Sequence, residues 1–186
     1  MNVAVFCGSA AGHTPDFANA VKALGHYFAQ QGIAVVYGGG NVGLMGVIAD
    51  SVIAGGGQVI GVIPEHLRDR ELAHPNLTEL HVVADMHERK AKMAALADAF
   101  VALPGGVGTL EEIFEVWTWG QLGLHAKPCA FYNVNGFYDP LFSMVESMQQ
   151  AGFVKAQYLD MLIREQTPEL LHLAFSRYQP PKQKWS

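Results

Sequence analysis

Two glycine-rich stretches, an Arg-Lys pair and a Thr-x-x-Glu spacing are the parts of this sequence that could do chemistry. The first stretch, Gly38-Gly39-Gly40-Asn41-Val42-Gly43-Leu44-Met45-Gly46, follows the apolar run Ile33 to Tyr37. The second, Pro104-Gly105-Gly106-Val107-Gly108-Thr109, follows the apolar run Ala99 to Leu103. Glycine lets a backbone approach a ligand closely, and a helix start offers unpaired N–H groups and a positive dipole end. Each stretch reads either as a tight strand-to-helix turn or as a phosphate cradle. Two of them at one sheet edge favour a phosphorylated ligand. Gly38, Gly40 and Gly43 also fit the G-x-G-x-x-G dinucleotide spacing, with Glu65 the nearest acid that could hold a ribose. Under that reading the second stretch has no task. No Gly-Lys-Ser/Thr occurs, which excludes a Walker A loop.

Thr109 and Glu112 have capping-box spacing, in which each side chain bonds the other's backbone N–H. The same pair could serve as a phosphate ligand and a catalytic carboxylate one ribose away. Asp85 and Arg89 are four residues apart and could form a surface pair on a helix. Arg89 could instead turn into a cleft and grip an oxyanion. Ser9, in Cys7-Gly8-Ser9-Ala10, ends the first strand, where a hydroxyl could meet a ligand or merely close a turn. The eight histidines are scattered, and neither His-Glu-x-x-His nor Cys-x-x-Cys occurs, so no metal site is expected. Trp117 and Trp119 cannot share one helix face, which predicts one in the core and one at an interface or pocket wall.

The elements that must position these residues alternate. Strands are expected at Val3–Cys7, Ile33–Tyr37, Gln58–Ile63, Leu80–Val83, Ala99–Leu103 and Cys129–Tyr132. Helices are expected at Asp16–Gln31, Gly43–Ala54, Asp85–Ala97, Leu110 to about Leu122, Asp139–Gln150 and near Glu169–Phe175. Pro64 to Asn76 reads as a loop, and a brief apolar stretch follows Met161. Alternation of this kind predicts βαβ units and a mostly parallel sheet, with ligands at the carboxyl ends of the strands. The expected architecture is a Rossmann-like α/β three-layer sandwich. It forms a single domain over residues 1–178, with a frayed tail at 179–186.

Composition narrows the function. The chain has 186 residues, half of them apolar, so a packed core rather than disorder is expected. Its formal net charge of −5 makes it a poor non-specific partner for nucleic acid. Residues 32–63 carry one formal charge, Asp50, but glycine clusters break the run before it could span a bilayer. The N-terminus lacks a basic segment followed by a long apolar one, so no secretory signal is read and a cytoplasmic home is expected. Two cysteines, Cys7 and Cys129, cannot build a disulfide scaffold.

Pro104-Gly105-Gly106-Val107-Gly108-Thr109-Leu110-Glu111-Glu112 resembles the P-G-G-x-G-T-x-x-E signature of the Lonely Guy family. Met86 to Lys90 resembles that family's Arg-Lys element, Gly38 to Gly46 its first glycine loop, and Cys7-Gly8-Ser9 also matches. The resemblance spans about residues 3 to 155. It implies a phosphoribohydrolase, an N-glycosyl hydrolase that splits cytokinin riboside 5′-monophosphates, with AMP as a further candidate substrate, into free base and ribose 5-phosphate. It implies Arg89 and Glu112 as the catalytic pair. Gly105, Gly106, Gly108 and Thr109 would hold the 5′-phosphate. Lys90, Ser9, Gly39, Gly40, Gly43 and Glu71 would complete the substrate site. It further implies a homodimer, a nucleoside monophosphate as the small-molecule partner, and no metal or organic cofactor. A non-catalytic nucleotide-cofactor carrier of the same fold, or an NAD-dependent oxidoreductase, are the competing readings.

Overall fold

A computed structural model describes residues 1–68, 70 and 73–181. Its core is one seven-stranded sheet. In chain order the strands are β1 (Asn2–Phe6), β2 (Ala34–Tyr37), β3 (Val59–Pro64), β4 (Glu79–Val83), β5 (Ala99–Ala102), β6 (Cys129–Tyr132) and β7 (Leu162–Glu165). The longer helices are α1 (Pro15–Gln30), α2 (Gly43–Ala54), α4 (Met86–Leu96), α5 (Val107–Gln121), α6 (Asp139–Gln150) and α8 (Pro168–Arg177). Two single-turn helices, α3 (Glu65–Arg68) and α7 (Ala156–Leu159), complete the set.

The strands lie in the order β4-β3-β2-β1-β5-β6-β7, and every neighbouring pair is parallel. β1 is therefore the strand at which the winding reverses. From it the chain builds outward through β2, β3 and β4 on one side, then returns to β5 on the other. A crevice opens at the carboxyl end of such a strand, because the flanking connections leave in opposite directions.

Alternation along β1 shows why both sheet faces must be covered. Val3 and Val5 join one apolar cluster, with Val21, Leu24 and Phe28 of α1 and Ile48 and Val52 of α2. Ala4 and Phe6 join the opposite cluster, with Met93 of α4, Ile113 and Trp117 of α5, and Phe142 of α6. A strand buried on both faces has to be apolar throughout, as β2, β5 and β6 are and as β1 is from Val3 onward. The three-layer parallel architecture is the one expected.

Two expectations need correcting at the edges. The segment expected to be loop from Pro64 holds the turn α3, started by Glu65. The apolar stretch after Met161 is the edge strand β7, paired with β6 from Cys129–Leu162 to Tyr132–Glu165. Its sequence, Leu-Ile-Arg-Glu, is only half buried, so the apolar run that marks a central strand is missing there. Trp117 is buried and its Nε1–H donates to the Tyr158 carbonyl at 3.0 Å, while Trp119 is half-buried against the same cluster. The tail expected to fray falls outside the described residues from 182 onward. Among the described residues no helix is long and apolar enough to cross a membrane.

Candidate active site

Three chain segments meet at the carboxyl end of β1. The N–H of Gly8 donates to the Pro104 carbonyl at 3.1 Å, and the N–H of Leu44 donates to the Gly8 carbonyl at 3.0 Å. These bonds lash the end of β1 to the loop after β5 and to the start of α2. The approach is too close for side chains. A Cβ on Gly43, whose φ is +55°, would overlap the Ser9 carbonyl group. A Cβ on Gly105 would overlap the Thr109 hydroxyl and lie 2.8 Å from the Gly8 nitrogen.

The resulting cavity, about 340 Å³, is lined by Gly8, Ser9, Met45 and Met86, by Arg89 and Glu112, and by the first turn of α5. Pockets of ~300–1,000 Å³ suit small-molecule ligands. A more apolar hollow of about 260 Å³, walled by Phe17, Leu44 and Phe137, shares Gly8, Ser9 and Gly106 with it.

The start of α5 differs from the expectation. The helix begins at Val107, and its N-cap is Gly106, with extended backbone and no side chain to cap the first turn. Thr109 is thus the third helical residue, so the Thr109–Glu112 capping box does not form. Gly106, Val107, Gly108 and Thr109 line the cavity instead, presenting the amide-rich, positive end of a 15-residue helix to it.

α4 sets the opposite wall. Asp85 is its N-cap, and the Asp85 carboxylate accepts from the N–H groups of His87 and Glu88 at 2.9 Å each. The Glu88 carboxylate in turn accepts from the Ala84 N–H at 2.8 Å. The Glu88 N–H bond, aided by that from His87, holds the Asp85 carboxyl below its usual range against the opposing pull of desolvation. Of the two readings of Arg89, the surface pair with Asp85 is therefore replaced by a cap, and Arg89 turns inward to 8% exposure. Its Nη2 lies 3.6 Å from Glu112 Oε1, with the two side chains 9% and 12% exposed. At that separation the pair attracts by charge without a close hydrogen bond. Arg89 Nη1 also faces Met86 Sδ at 3.5 Å.

Cys7 stands beside the pair. Burial, then the Glu112 charge, pushes its thiol well above the usual range, with Arg89 only partly opposing. It is a neutral wall of the cavity, not a nucleophile, since attack needs the thiolate.

The remaining candidates divide. Ser9 borders both hollows. Lys90 does not line the cavity: its Nζ lies 2.6 Å from Glu111 Oε1 and 2.9 Å from Glu115 Oε2, bracing α4 against α5. Burial works against the Lys90 ammonium, but these two glutamates outweigh it and raise its pKa. Gly39 and Gly40 serve the backbone. The Gly39 carbonyl accepts from the His74 N–H at 3.0 Å, and the Gly40 carbonyl accepts from the Tyr37 hydroxyl at 3.0 Å. Glu71 lies outside the described residues. The sequence reading missed Gly8, Met45 and Met86 as cavity wall. Among the described residues no cluster of three His, Cys, Asp or Glu side chains could hold a metal ion.

Residues 45–174 match the family model described as possible lysine decarboxylase. A protein of Rhodococcoides fascians named cytokinin riboside 5′-monophosphate phosphoribohydrolase is 51% identical over 154 residues, covering 82% of this chain and 78% of its own. The rice (Oryza sativa subsp. japonica) protein named cytokinin riboside 5′-monophosphate phosphoribohydrolase LOG is 46% identical over 178 residues, covering 96% of this chain and 74% of its own. Among solved structures, a molybdenum cofactor binding protein from Rippkaea orientalis superposes with TM-score 0.70 at 20% identity, covering 94% of this chain and 95% of that one. The Moco carrier protein of Chlamydomonas reinhardtii gives TM-score 0.70 at 18% identity, covering 95% of each chain. At those identities the structural likeness establishes the fold alone.

Proposed function

Since this chain belongs to the Lonely Guy family of cytokinin riboside 5′-monophosphate phosphoribohydrolases, we propose that its Arg89–Glu112 pair and the α5 N-terminus divide that hydrolysis between them. The reaction breaks the N-glycosidic bond of a riboside 5′-monophosphate and releases the free base and ribose 5-phosphate. The observation that supports this division is the placing of a buried carboxylate–guanidinium pair beside uncapped helix amides in one cavity.

Breaking the bond develops positive charge at C1′ and on the ring oxygen, as in other glycoside hydrolyses. The Glu112 carboxylate stabilises that charge and orients the attacking water. Arg89 sets the carboxylate's position and balances its charge in the ground state. Gly105, Gly106, Gly108 and Thr109, at the positive end of α5, hold the 5′-phosphate. That grip lies away from the bond that breaks, so its binding energy can be used to orient the ribose. Ser9 lines the cavity where β1 meets α2, and Gly43 permits that close approach. A phosphoribohydrolase of this design works without metal or organic cofactor. We further propose that residues 1–178 act as one catalytic domain, that the chain forms a homodimer and that it works in the cytoplasm.

The decarboxylase label would require a Schiff-base lysine. Lys90, the lysine of the Arg-Lys element, does not line the cavity. Its ammonium is held by two glutamates and its pKa is raised, the opposite of what a Schiff-base nucleophile needs.

The phosphate assignment is tested by comparing a riboside 5′-monophosphate with its own nucleoside. A hydrogen bond to a charged group contributes ~1.5–3 kcal/mol. Losing two of them lowers kcat/KM by roughly 100-fold or more. Equal kcat/KM values for the two substrates would refute the cradle.

A further inference from the structure

The first glycine loop follows β2 and ends at α2, yet its three leading glycines do not border the catalytic cavity. Gly38 is the buried residue directly after Tyr37. Unlike Gly39, whose φ is +77°, Gly38 does not have the left-handed backbone that favours glycine. An alanine at residue 38 would therefore suit the backbone. Space is what forbids it. A Cβ built on Gly38 would overlap Arg89 Nη2 and lie 3.0 Å from Arg89 Cζ, and its three nearest heavy atoms all belong to that guanidinium. Nη2 is the nitrogen that faces Glu112.

The turn carrying Gly38 is held rigidly from below. Tyr37 is fully buried, and its hydroxyl donates to the Gly40 carbonyl at 3.0 Å. Burial raises the Tyr37 pKa beyond its normal value, so that donor stays protonated. On the far side, the Gly39 carbonyl is bonded by the His74 N–H, and His74 Nε2 lies 3.0 Å from Asp50 Oδ1.

We infer that Gly38 is a positioning residue for the reaction: the bare Cα at the end of β2 is the seat of the Arg89 guanidinium, and the first glycine loop sets the aim of that side chain at Glu112 and does not hold phosphate. This rests on the assignment of Arg89 and Glu112 as the catalytic pair. A flexible side chain can give way to a methyl group, so the fold tolerates the change. The catalytic geometry does not, because Nη2 must leave its place opposite Oε1.

The test is a double-mutant cycle of Gly38→Ala and Arg89→Ala, read as kcat, as KM for the riboside monophosphate, and as the affinity for ribose 5-phosphate. Gly38→Ala is expected to lower kcat by roughly 100-fold, the scale of losing one preorganised electrostatic group, with ribose 5-phosphate affinity unchanged. On top of Arg89→Ala it is expected to add almost nothing, because both changes remove the same interaction. If Gly38→Ala alone fails to fold, the double variant must regain the fold, since the guanidinium it collides with is gone. Three results would overturn the inference: wild-type kcat in Gly38→Ala, a parallel loss of ribose 5-phosphate affinity, or a double variant that stays unfolded. Full activity in Arg89→Ala would instead overturn the catalytic assignment itself, so the two failures are separable.

Discussion

Replacing Glu112 by glutamine should lower kcat by ~100-fold or more while the protein stays folded. The substitution keeps the side chain's size and an oxygen near Arg89, but removes the negative charge. If the carboxylate only braced α5, an uncharged amide of the same shape would serve nearly as well. If it stabilises the charge that develops at C1′, no other group that lines the cavity among the described residues replaces it. Cys7 cannot, because its thiol is held protonated, and Glu111 is engaged by Lys90 at 2.6 Å. KM should change little, since the 5′-phosphate is gripped by the α5 N-terminus. Steady-state kinetics beside a thermal melt decides the matter. Wild-type kcat in a folded Glu112→Gln protein would remove the carboxylate from the mechanism.

Arg89→Lys should also lower kcat strongly, by roughly 100-fold, although the charge is kept. The guanidinium reaches Glu112 with one nitrogen while the other rests on Met86 Sδ at 3.5 Å. An ammonium is a point charge on a shorter reach and cannot hold both places. Asp85→Ala supplies the control. It removes the α4 cap and so lowers Tm, but Asp85 does not touch Arg89's side chain, and kcat should stay near wild type. The cap is also acid-labile. The Asp85 carboxyl is held below its ordinary 3.8, so its contribution to stability is present above about pH 4 and is lost as pH falls through the lowered value. Unchanged turnover in Arg89→Lys would return the residue to a charge-balancing role.

The sheet was legible in the sequence because its central strands are buried on both faces and read as short apolar runs between glycines. β7 was not, because an edge strand with Arg164 and Glu165 carries no such run. The loop after β5 was legible as a helix start, but not its register. Thr109 and Glu112 are three apart whether the helix begins at Leu110 or at Val107, and a glycine N-cap leaves no polar side chain to mark the true beginning. The local spacing left the direction of Arg89 open, and only the family resemblance pointed it inward. An acid four residues before an arginine suits a surface pair, and only the capping bonds that Asp85 accepts from the His87 and Glu88 N–H groups show that the acid is already engaged. Lys90, one residue on, leaves the helix about 100° away from Arg89, which is why neighbours in one motif have different tasks. The role of Gly38 depends on a side chain more than fifty residues away, and no local pattern could reveal it.

The central claim is that this chain breaks the bond between base and ribose while leaving the phosphate on the sugar. The direct measurement is chromatography of the products after incubation of the wild-type protein with isopentenyladenosine 5′-monophosphate. Free base and ribose 5-phosphate should appear in equal amounts, and AMP run alongside should show how far the N6 substituent matters. Recovery of the intact nucleotide bound to the protein would contradict the claim and make the chain a carrier. Release of phosphate with the base still on its ribose would contradict it as a hydrolase of the wrong bond.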